Sequence, residues 1–509
     1  MVASILNNVI GPIMPGCSSS HTAGPYHIAR ICRSLMRECP REISFIFAPN
    51  SSIAECYHEQ GSDLAFIMGI LELPITGNEF KKALSLPDKY GFKVNFNITE
   101  FPEASHPNSV KIIASTKNLR NFEFIADSTG GGSFLLRKFN GWDVSLTGDS
   151  HDLFIEINEG ENLCIRNLES TPSIQESRGK KLLHYKLKSP FQSGDLRDIE
   201  NAWYAAPVFH AIKRESIFKS AVEMIEYANN DSANYKSIAE AAIDYESNLL
   251  GLSRAEICLE MDKRLQVMLD AVKLGLSDEC PEMFLLARSA RKIYEAESNS
   301  KLPLGGLNTR AAIRAMAAMQ VNSGQGVICA APTGGSAGVL PGIISTLIED
   351  MKYSRSVALN ALWAAGVIGM IIATRATFAA EVAGCQVEIA AAGAMGAAAV
   401  IQSYSGDAQA ACDAAAITLQ NSMGLVCDLV QGIVEIPCHT RNASFASEAF
   451  ICADLIAGGY YNPIGLDETI DAVFAVGKML PVELRCTSAG GIAVAPSALA
   501  IKRQGLGKR

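Results

Sequence analysis

The chain has 509 residues, of which 48% are hydrophobic and 19% charged, with a formal net charge of −9. That length exceeds one ordinary core, and the composition is that of a folded chain with a generous interior. An acidic balance with dispersed Lys and Arg argues against nucleic acid or an anionic membrane surface as a partner.

The first twelve residues show no basic patch followed by a long apolar run, so no secretory leader is expected and a cytoplasmic location is. There are 14 cysteines. In this setting disulfides are not expected, and a metal or reactive role for a few is. Most of the others, Cys164 among them, read as small core fillers.

In chain order, the spacing predicts a helix over Thr22–Arg37, a strand over Glu42–Phe47, a helix over Ser62–Leu71 and strands over Lys93–Ile98 and Ser109–Ser115. Residues 1–120 therefore read as a mixed α/β domain. Residues 121–195 read as a small β-rich segment with a linker: Gly130-Gly131-Gly132 is a turn signal, Val144–Leu146 and Leu153–Ile157 are strand-like, and Asn167–Lys181 is polar. Residues 211–509 read as an all-α domain, with Ala-rich helices between Val357 and Leu425. The fold class expected is thus multidomain α+β. The uncharged stretch Ser356–Thr374 approaches membrane-spanning length, but its Ala and Gly content, Asn360 and the lack of basic flanks favour a buried helix.

Four stretches stand out. Gly384-Cys385-Gln386-Val387-Glu388, Cys427-Asp428 and Pro437-Cys438-His439-Thr440-Arg441-Asn442 each set a cysteine beside a chain breaker or polar group, where a loop turns a thiolate toward a shared centre. Gly16–Pro25 runs small hydroxyl residues into a helix start, a setting that favours a carboxylate or phosphate. Ala331–Gly338 is a second small-residue loop before a helix, without the lysine of a nucleotide P-loop. Arg485–Ala493 carries a Gly pair. By spacing alone, buried fillers, an elaborate N-cap and tight turns account for these stretches as well.

Together and in this order, the stretches resemble the iron–sulfur-dependent L-serine dehydratases, also called L-serine ammonia-lyases, with the family's β and α parts fused. The resemblance implies a [4Fe–4S] cluster on Cys385, Cys427 and Cys438, with one iron open to the substrate's β-oxygen. A base removes the α-proton, water is eliminated, and the aminoacrylate hydrolyses to pyruvate and ammonia, a step of amino-acid degradation that feeds gluconeogenesis. Ser18, Ser19, Ser20 and Thr22 would hold the substrate carboxylate, with Ser336, Arg441 and Asn442 as further contacts. The site would lie between the two parts. Family habit implies a homodimer, and the middle segment looks like a shortened regulatory module.

The chain departs from the family pattern at several positions. Cys17 stands where the serine-rich signature has Pro. Gln60 stands where a Gly-His-Gly-Thr-Asp stretch has its His, and an amide is no general base. His21 is then the first candidate base, with His58 and His106 behind it. Cys486 stands where a Glu-Thr stretch has its carboxylate, and the final residues Gly505–Arg509 lack the cysteine that ends some single-chain members. These departures leave two alternatives: the same chemistry on threonine or cysteine, and a non-catalytic iron–sulfur amino-acid sensor. A pyridoxal-phosphate enzyme would need a Schiff-base lysine, and the Ala331–Gly338 loop has none.

Overall fold

Alternating apolar residues in the first third of the chain build one six-stranded sheet, in the order β3-β2-β4-β5-β6-β7. Its strands are β2 (Pro40–Phe47), β3 (Lys93–Ile98), β4 (Ser109–Thr116), β5 (Asn121–Gly130), β6 (Ser133–Phe139) and β7 (Trp142–Leu146). Only β2 and β3 run parallel; the other neighbours are antiparallel. Helices α1 (Ala23–Met36) and α3 (Ser62–Ile70) share a core with this sheet, in which Ile28 and Ile31 of α1 meet Phe45, Phe66 and Phe124. A short α2 (Ser52–Cys56) precedes α3. The boundary expected at residue 120 falls between β4 and β5, two hydrogen-bonded neighbours. The structure, a computed structural model, describes residues 2–161, 170–191, 201–229 and 236–503. Cys164, the beginning of the Asn167–Lys181 stretch and Gly505–Arg509 lie outside the described residues.

The middle segment forms a four-stranded antiparallel sheet, ordered β11-β8-β10-β9. Its strands are β8 (His151–Asn158), β9 (Ser173–Ser177), β10 (Lys180–Leu187) and β11 (Ala202–Ala205). Leu153, Ile155, Leu183 and Tyr185 give it a small core of its own.

The last part of the chain is a helical bundle around Ile389–Tyr404, whose residues from Ile389 to Ile401 are all buried. Helices Val339–Glu349, Arg355–Arg375, Ala408–Asn421 and Cys438–Ala457 pack around it. Small residues set the spacing. A Cβ at Gly393 would lie 2.7 Å from the Phe445 ring, and one at Gly396 2.2 Å from Ile343. Two helical stretches, Arg355–Arg375 and Cys385–Tyr404, are long and apolar enough to cross a membrane. Both are largely enclosed by protein, the second to 89% over its most apolar window. The architecture is the multidomain α+β arrangement that the residue pattern predicts.

The first fifteen residues take a path the periodicity does not predict. Ile5–Val9 forms a π-helical turn, and Ile5, Leu6, Val9 and Ile10 join the core of the helical bundle. Gly366 and Gly369 make room for them: a Cβ at either would lie 2.4 Å from Ile5 or 2.2 Å from Val9. Beyond this turn, β1 (Ile13–Pro15) pairs antiparallel with β12 (Val327–Cys329). The buried carboxylate of Glu246 accepts from the Ser4 hydroxyl and from the backbone N–H groups of Ile5 and Leu6, both at 2.9 Å. Glu246→Ala would leave these donors unpaired in the interior. It is expected to cost about 3 kcal/mol of stability, read as a lowered midpoint in thermal unfolding of the purified protein.

Candidate active site

The three cysteines stand at three breaks in the helical part. Cys385 follows Gly384, which has a φ of 76° and whose added Cβ would lie 2.7 Å from the Leu425 carbonyl oxygen. Glycine thus permits both the turn and the close approach. Gln386 locks the two segments together: its backbone N–H donates to Leu425 (3.2 Å), and its side-chain oxygen accepts from Gly424 N–H (2.9 Å). Cys427 is held by its own backbone, donating to Leu484 and accepting from Cys486, each at 2.9 Å. Cys438 is the first residue of helix Cys438–Ala457, directly after Pro437.

All three thiols are buried. The Cys385 and Cys486 thiols neighbour that of Cys427. These contacts, with burial and the neighbouring thiols added, hold the Cys427 thiol well above its usual range. Burial first, then Cys385 and Glu388, do the same for Cys438. A bound cation reverses this preference, because a coordinating thiol gives up its proton. Ligand atoms of Cys385, Glu388 and Cys427 lie within 4.8 Å of one another, a grouping suited to a metal. Arg441 supplies the local positive charge. Burial works against it, but Cys385, Asp428 and Cys438 outweigh burial and raise its pKa, and its guanidinium contacts Asp428 at 2.9 Å.

The N-terminal part closes over this group. Ser18, Ser19, Ser20, His21 and Thr22 are all buried. Ser19 Oγ accepts from the Gly334 N–H at 3.2 Å, which joins the serine loop to the Ala331–Gly338 loop. A Cβ on Gly334 would lie 2.6 Å from the Cys17 carbonyl oxygen, so only glycine lets the two loops meet. Thr333 Oγ1 donates to Glu388 Oε1 at 2.5 Å. Burial pushes the Glu388 carboxyl up to about 7, against that hydrogen bond and with the help of Glu381.

His21 is fully enclosed. Its Nδ1 lies 3.2 Å from Ser18 Oγ and 3.7 Å from Glu381 Oε1, and its Nε2 lies 3.4 Å from Ser52 Oγ and 3.8 Å from Cys56 Sγ. Burial lowers its pKa, with Glu381 partly opposing. The ring is therefore held neutral, the state a proton acceptor needs.

The remaining predicted residues take different places. Ser336 Oγ bonds to Ala331 and Thr333 within its own loop. Asn442 spans from Cys438 to Gly335 and Gly338, so its amide builds the wall of the site. His58 turns to Asp63 at 2.6 Å from a partly exposed position, and no contact described above for the thiols or the serine loop involves it. His106 is mostly buried, and burial lowers its pKa despite Glu381 and Asp127. Gln60 donates through Nε2 to Gly432 at 2.8 Å, which ties the two parts together, while its buried Oε1 has no hydrogen-bond partner among the described residues.

Sequence reasoning assigned no role to Glu381, Glu388, Thr333, Ser52 or Cys56. The signal available was proximity: Glu381 and Glu388 bracket Cys385 in an otherwise apolar stretch.

With this geometry in view, the comparisons with known proteins are specific. The serine dehydratase alpha chain family model matches residues 232–493, which contain all three buried cysteines. The chain belongs to this family. It is 35% identical over 288 residues to a probable L-serine dehydratase alpha chain of Bacillus subtilis, covering 57% of this chain and 95% of that relative. It is 32% identical over 288 residues to an L-serine dehydratase alpha chain of Peptoniphilus asaccharolyticus, covering 56% and 98%. Against the L-serine dehydratase TdcG of Escherichia coli it is 29% identical over 286 residues, covering 54% and 62%. As a serine dehydratase family member, the chain carries its matched region in the helical bundle and adds the α/β and middle segments ahead of it.

Proposed function

We propose that this chain is an iron–sulfur-dependent ammonia-lyase that converts L-serine to pyruvate and ammonia by β-elimination. The observation that carries the reading is a group of buried thiols, two of them beside Glu388, joined through Thr333 and Gly334 to the hydroxyl-rich loop that carries the enclosed His21. The names of the relatives support serine as the substrate.

The residues fit an iron–sulfur cluster. Soft thiolates favour iron over hard cations, and the site is dry and flanked by a guanidinium. Cys385, Cys427 and Cys438 would hold a [4Fe–4S] cluster, which when bound supplies a Lewis acid for the departing β-hydroxyl. The chain's own residues do the rest. The Ser18–Thr22 loop, at the start of α1, receives the substrate carboxylate with the hydroxyls of Ser18 and Ser19 and with backbone donors, while the hydroxyls of Ser20 and Thr22 hold the loop in place by donating to Glu381 and to the Gln60 carbonyl. His21 takes the α-proton. Arg441 balances the charge of the thiolates. Burial of the whole group keeps bulk water away.

A second reading, the same elimination on threonine or cysteine, is favoured by the amide of Gln60 and the thiol of Cys486 where the family pattern has a His and a carboxylate. We further propose a homodimer in the cytoplasm, acting on a small amino acid.

The test is anaerobic purification followed by iron and sulfide analysis, then pyruvate and ammonia release from serine, threonine and cysteine. About four irons per chain with fastest release from serine is the expected result. An iron-free protein that cannot be reconstituted would overturn the reading, and faster turnover of threonine or cysteine would select the second one.

A further inference from the structure

Glu381 sits on the short helix Ala380–Ala383 with only 3% of its surface exposed. Its Oε1 accepts from Ser20 Oγ at 2.9 Å. Its Oε2 is buried and has no hydrogen-bond partner among the described residues. Among the described residues, the one basic side chain within ion-pair distance is His21, at 3.7 Å from Oε1. His21 is biased toward its neutral form by burial, so it offsets little of the carboxylate's charge. Among the described residues, His106, Cys56, Cys486 and Glu388 also sense Glu381. None of them is a fixed cation. A buried carboxylate with a bare oxygen is costly unless a charged donor arrives.

We propose that Glu381 holds the α-ammonium of the substrate. The inference rests on the reading of the site as an amino-acid lyase and deepens it. Ser20 links the two halves of the recognition. Its hydroxyl belongs to the loop assigned to the α-carboxylate, and it touches Glu381. The carboxylate and ammonium of an α-amino acid leave the same carbon, so one ligand reaches both. An ammonium carries three N–H donors and a positive charge, which supplies both things that Oε2 lacks. Glu388 is less suited, because it stands among the thiols, its carboxylate within 4.8 Å of the ligand atoms of Cys385 and Cys427. The site therefore selects α-amino acids over the corresponding acids without nitrogen.

The experiment is anaerobic calorimetry on the cluster-bearing protein with two probes. L-Alanine carries the ammonium and carboxylate but no leaving group; propanoate lacks the ammonium. In the unmodified protein L-alanine is expected to bind more tightly, by a factor on the order of a hundred. Glu381→Gln, which keeps the size of the side chain, is expected to erase that preference by weakening L-alanine and changing propanoate less than about threefold, with iron content unchanged. Glu381→Asp, which keeps the charge, is expected to retain part of the preference. A preference that survives in Glu381→Gln, an equal loss for both probes, or loss of iron would overturn the proposal. A protein that shows the expected probe pattern yet releases no pyruvate from serine would keep the ammonium site and lose the lyase reading.

Discussion

Cys427→Ser is expected to give a protein without iron or sulfide and with pyruvate release lowered by a factor on the order of 10³ or more. Cys427 is the thiol that neighbours both Cys385 and Cys486. A serine hydroxyl is harder and holds its proton far more tightly, so it is a poor ligand for soft iron. The segment itself is fixed by backbone bonds to Leu484 and Cys486, which serine leaves in place. The change should therefore remove the metal while the metal-free fold melts as the metal-free parent does. Cys412 is the control. It is equally buried but stands in the Ala-rich helix Ala408–Asn421, and Cys412→Ser should keep its iron. Iron and sulfide analysis with the visible spectrum decides between these outcomes.

The second large effect is expected at His21. His21→Gln should lower kcat by roughly 10²- to 10⁴-fold, the usual contribution of a positioned proton acceptor, with a much smaller change in KM. The pH profile adds a signature. Because burial lowers the pKa of His21, the parent enzyme should remain active at pH 6.5 and lose activity only at lower pH. Stability changes in the same region. His27 and His439 are buried and depressed to about 4, chiefly by burial. Between pH 6.5 and about 4 the unfolded chain takes up protons that these folded histidines refuse, so stability is full above that window and declines as pH falls through it. Rates measured immediately after a pH jump, with circular dichroism alongside, separate the two effects. An acid limb that persists unchanged in the residual activity of His21→Gln would assign it to another group.

The parts of the molecule that were legible in the sequence are those with a strong local signal. Local residue patterns marked β2, β3, β4 and the middle of β8, and the Ala-rich segments marked the bundle. Chain breakers marked the three cysteines. What was not legible depends on long-range contact. Glu381 and Glu388 read as ordinary charges until the fold removes their water. His58 and Gln60 are two residues apart, yet a turn sends one toward Asp63 and the other toward Gly432. Residue 120 was expected as a boundary because a β-rich stretch follows it, but the first strand of that stretch, β5, pairs with β4 and continues the sheet of the first part.

The threading of the first fifteen residues also bears on how the chain acquires its shape. Ile5 and Val9 rest on glycines more than 350 positions further along, and β1 waits for β12. This segment is made about 350 residues before the glycines that receive it, so its apolar side chains stay uncovered until the bundle has been synthesised. Assembly cannot proceed strictly from front to back. The α/β sheet has its strands within the first 146 residues and is free to form early, whereas the leading segment has to be stored until the bundle exists to receive it. Bulk placed immediately ahead of the buried Ser4 would hinder that late insertion.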